Sequence, residues 1–413
     1  MHLFVISQHE TYKKQRTMNK KEMFCDVDNI VEWRHIITAL LALVVLVSCS
    51  DEEEPIWEQQ KELTVIFFMP WSTNMTPYFE QNIADFETAI AGGLLKNERV
   101  IICISSTTNK ANVIELRQEE GRCVRDTLMF YGHPDFTQSE NITTMLNDVR
   151  AIAPARRYSL IVGSHGMGWL PVSKSRARSQ YHFERDDVPQ TRWFGGWTSE
   201  YQIETTTLAD AITEAGMRMQ YVMFDDCFMS SVEAAYDLKD ATDYLIGCPT
   251  EIMIYGFPYH LCARHLVGTV DYAALCQTFH DFYSHYTTPC GTIAVTDCRE
   301  LDALAAIVRE INLTQEFDYS QLADVQRMDG YNPPLFYDLG DYIAHLCTDG
   351  NLLNAFKRQL DVTVPYKAHT PQYYSASNGF NDIRAYSGIT TSAPSHNTRS
   401  VGQEKTRWYQ ATH

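Results

Sequence analysis

Apolar residues in this chain fall into short unbroken runs that alternate with stretches at helical spacing. Residues 62–69, Glu-Leu-Thr-Val-Ile-Phe-Phe-Met, form a β-branched and aromatic run closed by Pro70, which predicts a buried strand. Residues 78–91 carry apolar side chains three and four apart and stop at Gly92-Gly93, so a helix is expected there, before a second apolar strand at 100–105. Strand, helix, strand implies a parallel pair. Runs at 112–117 and 123–129, joined by Gln118-Glu119-Glu120-Gly121, predict a hairpin added to that sheet. The alternation resumes with helix 143–152, strand 158–163, helix 208–215, strand 221–224, helix 232–239 and strand 244–247. Beyond Phe257 helices dominate, at 259–266, 272–286, 301–311, 341–347 and 352–360, with strands only at 292–296 and 387–391. The expected class is α/β: a doubly wound, mostly parallel sheet sandwiched by helices, with a helical C-terminal portion.

Composition narrows the picture. With 413 residues, 45% of them hydrophobic, the chain can bury one large core or two. A net charge of -18 argues against a phosphate-backbone partner, since nucleic-acid binding needs a concentrated basic face, so no nucleic acid is expected. The eleven cysteines contain no CxxC pair and no zinc spacing, and several sit in apolar runs, as Cys103 does in Val-Ile-Ile-Cys-Ile. Disulfides are undecided by this pattern.

The N-terminal part reads as an address. Residues 35–47 form an apolar stretch of about a dozen, the length of a signal-peptide core and short of the ~20 needed to span a bilayer. The stretch ends in Leu46-Val47-Ser48-Cys49, which resembles a bacterial lipobox and makes Cys49 the expected lipid anchor. The following Ser50-Asp51-Glu52-Glu53-Glu54-Pro55 is similar to the export signal of surface lipoproteins of Bacteroidetes. The expected organisation is a signal peptide at 1–48, a lipidated acidic tether at 49–60, an α/β core at 61–257 and a mainly helical portion at 258–413. The expected location is the outer membrane, reached through the anchor, with the protein exposed at the cell surface.

In an open α/β sheet, reactive groups gather beyond the carboxyl ends of strands. Strand 158–163 delivers Ser164-His165-Gly166-Met167-Gly168-Trp169, and strand 221–224 delivers Asp225-Asp226-Cys227-Phe228-Met229. A thiol and an imidazole at neighbouring strand mouths can share one groove, the first as nucleophile and the second as proton carrier. A tetrahedral intermediate also needs N–H donors, for which the Gly166 and Cys227 amides are candidates, the latter through the start of a helix expected at 229–238.

These two segments resemble the clostripain-like cysteine peptidases of the caspase, legumain and gingipain clan. Leu160 to Trp169 is similar to the family's strand leading to His-Gly-x-Gly-Trp, and Phe224 to Leu238 to its Asp-Ala-Cys-Leu-Met followed by a Val-Glu-x-Ala-Tyr-Glu-Leu helix. The likeness extends over most of residues 61–395. It implies a caspase-like fold, endopeptidase activity after Arg or Lys, catalysis by His165 and Cys227 without a required cofactor, and Asp225 in the pocket for the basic side chain. Protein or peptide substrates containing Arg or Lys are then the expected partners. Family members are activated by cleavage between the two motifs, which points to self-cleavage in the 172–197 loop at Lys174, Arg176, Arg178, Arg185 or Arg192. Some members need calcium; no EF-hand pattern occurs here, so calcium is left open and no metal ligands are assigned.

Two positions depart from the family pattern. Asp226 stands where Ala is usual, and an inward carboxylate there would oppose ionisation of the thiol. Ser164 stands where Asp often precedes the histidine. A catalytically inactive surface lipoprotein that binds peptides or glycans is therefore the alternative reading, and Asp225 has an alternative role as a cap for the helix that follows. A serine or metal hydrolase is disfavoured, because Gly-x-Ser-x-Gly and His-Glu-x-x-His are both missing.

Overall fold

The computed structural model describes residues 60–170, 172, 194–196 and 198–413. Cys49, the acidic tether and the five basic residues Lys174, Arg176, Arg178, Arg185 and Arg192 lie outside the described residues.

The first half of the described chain runs β1 (Lys61–Met69), α1 (Thr76–Ala91), β2 (Glu98–Thr107), β3 (Lys110–Glu119), β4 (Arg122–Gly132), α2 (Ser139–Ile152), β5 (Ala155–Gly163), α3 (Thr205–Glu214), β6 (Met219–Asp225), α4 (Val232–Leu238) and β7 (Thr242–Gly247). The second half runs α5 (Tyr259–Leu266), α6 (Tyr272–Ser284), β8 (Thr292–Asp297), α7 (Leu301–Thr314), β9 (Tyr337–Asp338), α8 (Leu339–Leu346), α9 (Gly350–Thr363), β10 (Tyr366–His369), β11 (Gln372–Ser375), β12 (Gly379–Asp382), β13 (Thr390–Thr391) and α10 (Arg407–Thr412).

Nine strands form one sheet in the order β10-β8-β7-β6-β5-β1-β2-β3-β4. The five central strands, β7 to β2 in that order, are mutually parallel, while β3, β4, β8 and β10 are antiparallel additions at the two edges. This is the doubly wound, mostly parallel sheet expected from the pattern. Its winding reverses between β1 and β5, so a crevice forms beyond their carboxyl ends.

Continuous apolar runs make sense because both faces of the central strands are covered. Along β1, Leu63, Val65, Phe67 and Met69 join a core with Phe79, Phe86, Tyr259 and Phe279 from α1, α5 and α6. Ile66 and Phe68 point the other way, into a core with Leu146, Leu208, Val232 and Leu304 from α2, α3, α4 and α7. All of these side chains are 0% exposed except Met69, at 1%.

Three differences from expectation have physical causes. The boundary at 257 does not divide the sheet, because β8 and β10 from the later portion extend it beyond β7. β10 to β12 are short and only partly buried, so Tyr-Lys-Ala-His at 366–369 shows neither an apolar run nor clean alternation. The strand expected at 387–391 shrinks to Thr390–Thr391, paired with β9 in a separate small sheet. Among the described residues no cysteine forms a disulfide, and no helix is long and apolar enough to cross a membrane.

Candidate active site

Three adjacent strands, β1, β5 and β6, send their following loops into the crevice. The β5–β6 ladder closes at the pair Gly163↔Asp225, and two residues further on each strand come His165 and Cys227. Both side chains are buried, at 1% and 0% exposure. The segments also touch directly: a Cβ built on Gly166 would lie 2.5 Å from the Cys227 carbonyl oxygen, 2.7 Å from Asp226 Cβ and 3.1 Å from the Cys227 amide nitrogen. Only a residue without a Cβ fits there. The Gly166 and Cys227 backbones, expected to supply N–H donors, are thus next to one another.

The loop after β1 contributes a residue that the sequence did not single out. Asn74 Oδ1 lies 3.2 Å from His165 Nε2. A carbonyl oxygen only accepts, so in this contact Nε2 is the donor. The main chain of His165 is held as well, its N–H donating to Gly195 O at 3.3 Å. Gly195 follows Phe194, whose ring packs edge-on against Phe224 of β6 at 5.5 Å.

Around the thiol, Ile252 N–H donates to Cys227 Sγ at 3.4 Å, and Sγ lies 3.8 Å from Ile252 O. The next residue, Phe228, has φ of 61°, a left-handed conformation that is costly for an aromatic side chain. It is held there by its N–H bond to Thr250 O at 3.0 Å and by stacking on Phe336 with ring centres 5.0 Å apart. The 329–336 loop carrying Phe336 is organised by buried Asp329, which accepts N–H bonds from Tyr331, Leu335 and Phe336 at 2.8, 2.7 and 2.5 Å. Beside Ile252, Glu251 accepts from the Ser375 hydroxyl at 2.5 Å and from Ala376 N–H at 2.9 Å, and desolvation pushes its carboxyl up to about 7.

Asp225 is 1% exposed, with Oδ1 accepting from Phe257 N–H and Oδ2 from the Tyr259 hydroxyl, each at 3.1 Å. It does not cap the next helix. That helix begins at Val232, its cap is Ser231, whose hydroxyl oxygen accepts from Ala234 N–H at 3.3 Å, and the start expected at 229 is corrected accordingly. Residues 228–231 therefore separate Cys227 from the helix, and the support expected for its amide from a helix start is withdrawn.

Asp226 points inward, 0% exposed, and onto the histidine loop: Oδ1 accepts from Ser164 N–H at 2.8 Å and Oδ2 from the Ser164 hydroxyl at 3.0 Å. The two departures noted in the sequence are partners of each other. Five other thiols are poor nucleophiles, burial pushing Cys103, Cys276 and Cys290 up to about 12 and Cys262 and Cys298 higher still. Among the described residues no group of three or more His, Cys, Asp or Glu is arranged to hold a metal ion.

A thiol and an imidazole carried by neighbouring parallel strands of a doubly wound sheet define the caspase-like class of cysteine hydrolase. The family model of the clostripain family, peptidase C11, matches residues 68–351. A secreted C11 cysteine protease from Bacteroides thetaiotaomicron, iotapain, is 49% identical over 86% of this chain and 99% of its own, with a TM-score of 0.81. A clostripain from the same species, solved with the peptide inhibitor BTN-VLTK-AOMK, is 52% identical over 54% of this chain and 99% of its own, with a TM-score of 0.53. An inactive zymogen of a C11 protease from Parabacteroides distasonis is 26% identical over 86% of this chain and 99% of its own, with a TM-score of 0.71. Curated proteins offer no match. The chain belongs to the clostripain family and is a cysteine protease, whose chemistry requires no cofactor.

Proposed function

We propose that this protein is an exported, lipid-anchored endopeptidase that cleaves after Arg or Lys, with His165 and Cys227 as its catalytic pair. The observation that carries this reading is the close packing of Gly166 against the Cys227 backbone, which sets the His-Gly loop directly beside the thiol. Cys227 Sγ attacks the scissile carbonyl, and the imidazole of His165, oriented by Asn74, manages the proton and returns it to the leaving amine. The N–H groups of Gly166 and Cys227 receive the oxyanion.

Asp225 selects the basic side chain. Its two donors hold the carboxylate in one orientation, which favours bidentate pairing with guanidinium. The peptide of the inhibitor bound to the Bacteroides clostripain ends in lysine, in keeping with a basic preference. Activation proceeds by self-cleavage in the 172–197 loop, after Lys174, Arg176, Arg178, Arg185 or Arg192; the zymogen among the similar structures supports a precursor form in this family. Cys49 carries the lipid that holds the protein at the outer membrane, facing the cell exterior.

The test is hydrolysis of an Arg-terminated fluorogenic peptide by purified protein, with and without calcium and with Cys227→Ala as control. Turnover by the wild type alone supports the reading. If neither form cleaves but peptide or glycan binding persists, the chain is an inactive binding relative instead. Cys49→Ala is expected to move the protein from the membrane fraction to the soluble one, and no redistribution refutes the anchor.

A further inference from the structure

We propose that Ser164 and Asp226 form a positioning pair that fixes His165 against Cys227 and so sets the rate of peptide cleavage. The proposal deepens the reading of His165 and Cys227 as the catalytic pair and rests on it. The pair acts through the histidine.

The hydrogen-bonded ladder between β5 and β6 ends at Gly163↔Asp225, one residue short of both Ser164 and Asp226. Past that point the backbones of the two strands are no longer paired with each other. A buried N–H without a partner is strongly disfavoured, and so is a buried carboxylate without donors. Both needs are met at once, because Asp226, 0% exposed, spends one oxygen on Ser164 N–H and the other on the Ser164 hydroxyl. That hydroxyl has a single proton and two acceptors in reach, Asp226 Oδ2 at 3.0 Å and His165 O at 2.9 Å. The side chain thus extends the strand pairing one residue beyond the ladder.

Its position relative to the histidine gives this grip a catalytic consequence. Asp226 binds residue 164 through its carboxylate, while its Cβ abuts residue 166, where an added methyl group would lie 2.7 Å away. His165 is therefore bracketed on both sides by the residue that immediately precedes the thiol. A shift of about 1 Å between reacting groups costs on the order of 100-fold in rate, so loss of the bracket acts on kcat.

The experiment measures kcat, KM, the pH–rate profile and melting temperature for wild type, Asp226→Ala, Asp226→Asn and Ser164→Ala on an Arg-terminated peptide. Asp226→Ala is expected to lower kcat ~100-fold with KM within ~3-fold, and to move a limb of the pH profile. Asp226→Asn keeps an acceptor for Ser164 N–H and is expected to recover roughly tenfold of that loss, while Ser164→Ala, which keeps its N–H, loses only about tenfold. Should Asp226→Ala fail to fold, the other two variants decide the matter. Iodoacetamide labelling of Cys227, mapped by mass spectrometry, gives a readout independent of substrate, and Asp226→Ala is expected to change its rate at neutral pH.

Wild-type kcat and labelling in Asp226→Ala overturn the proposal, as does an Asn variant no better than the Ala variant. A Cys227→Ala protein that still cleaves the peptide overturns the catalytic reading itself. An inactive Cys227→Ala beside an unimpaired Asp226→Ala overturns only the pair.

Discussion

Replacing Gly166 by Ala adds one methyl group at the point where the histidine loop meets the cysteine. That methyl would lie 2.5 Å from the Cys227 carbonyl oxygen and 2.7 Å from Asp226 Cβ, where ordinary contacts begin at 3.4 Å. Neither neighbour is the free end of a flexible side chain, so the two backbones must part by nearly 1 Å. Overpacking of this kind costs ~1–3 kcal/mol of stability. The larger effect falls on catalysis, since the same separation displaces the thiol from the imidazole and is worth on the order of 100-fold in kcat. The assay is kcat and KM on an Arg-terminated peptide, with folding checked by circular dichroism and thermal melting. Gly350→Ala is the control, because a Cβ at that first residue of α9 meets nothing within 4 Å and should leave activity unchanged. A folded Gly166→Ala enzyme with wild-type kcat refutes the reasoning.

Other perturbations separate the remaining roles. Asn74→Ala is expected to lower kcat ~10–100-fold at unchanged KM, and steady-state kinetics with equal kcat in both proteins contradicts its orienting role. Asp225→Ala should erase the preference for Arg over an uncharged residue, read from paired fluorogenic peptides; an unchanged ratio removes it from the specificity pocket. Glu233 of α4 is buried, its Oε2 finds no partner among the described residues, and burial pushes its carboxyl up from 4.5 to about 7. The folded state thus holds this proton more tightly than the unfolded chain does. Its contribution is fully present below about pH 4.5 and is lost as pH rises to 7, a change of about 3 kcal/mol. Denaturant unfolding at pH 5 and pH 8 should accordingly show a smaller difference in Glu233→Gln than in wild type, and equal differences argue against it. Wild-type protein that stays single-chain yet fully active on gels and in the peptide assay refutes self-cleavage in the 172–197 loop.

The parallel strands were legible because burial on both faces leaves an unbroken apolar run, as in 62–69, 158–163 and 221–224. The two residues proposed as the catalytic pair were legible for a related reason: each follows closely on such a run, where an open sheet presents side chains to a crevice. What escaped notice depends on contacts distant in sequence. Asn74 is an ordinary loop asparagine until the β1 and β5 ends are brought side by side, 91 residues apart. Asp226 read as a charge troubling the thiol, since nothing local reveals a bond to Ser164 across 62 residues. Glu251 likewise carries no local signal, its partners Ser375 and Ala376 lying 124 and 125 residues onward. β10 was missed because an edge strand of mixed polarity has no periodic signal.

The central claim is that Cys227 is the nucleophile of a peptidase that recognises a basic residue. Its most direct test is covalent capture with an Arg- or Lys-terminated peptidyl acyloxymethyl ketone, followed by peptide mapping. A single adduct on Cys227 Sγ is expected, competed by substrate and slowed by His165→Ala. An adduct on another cysteine, or peptide hydrolysis that survives Cys227→Ala, would contradict it.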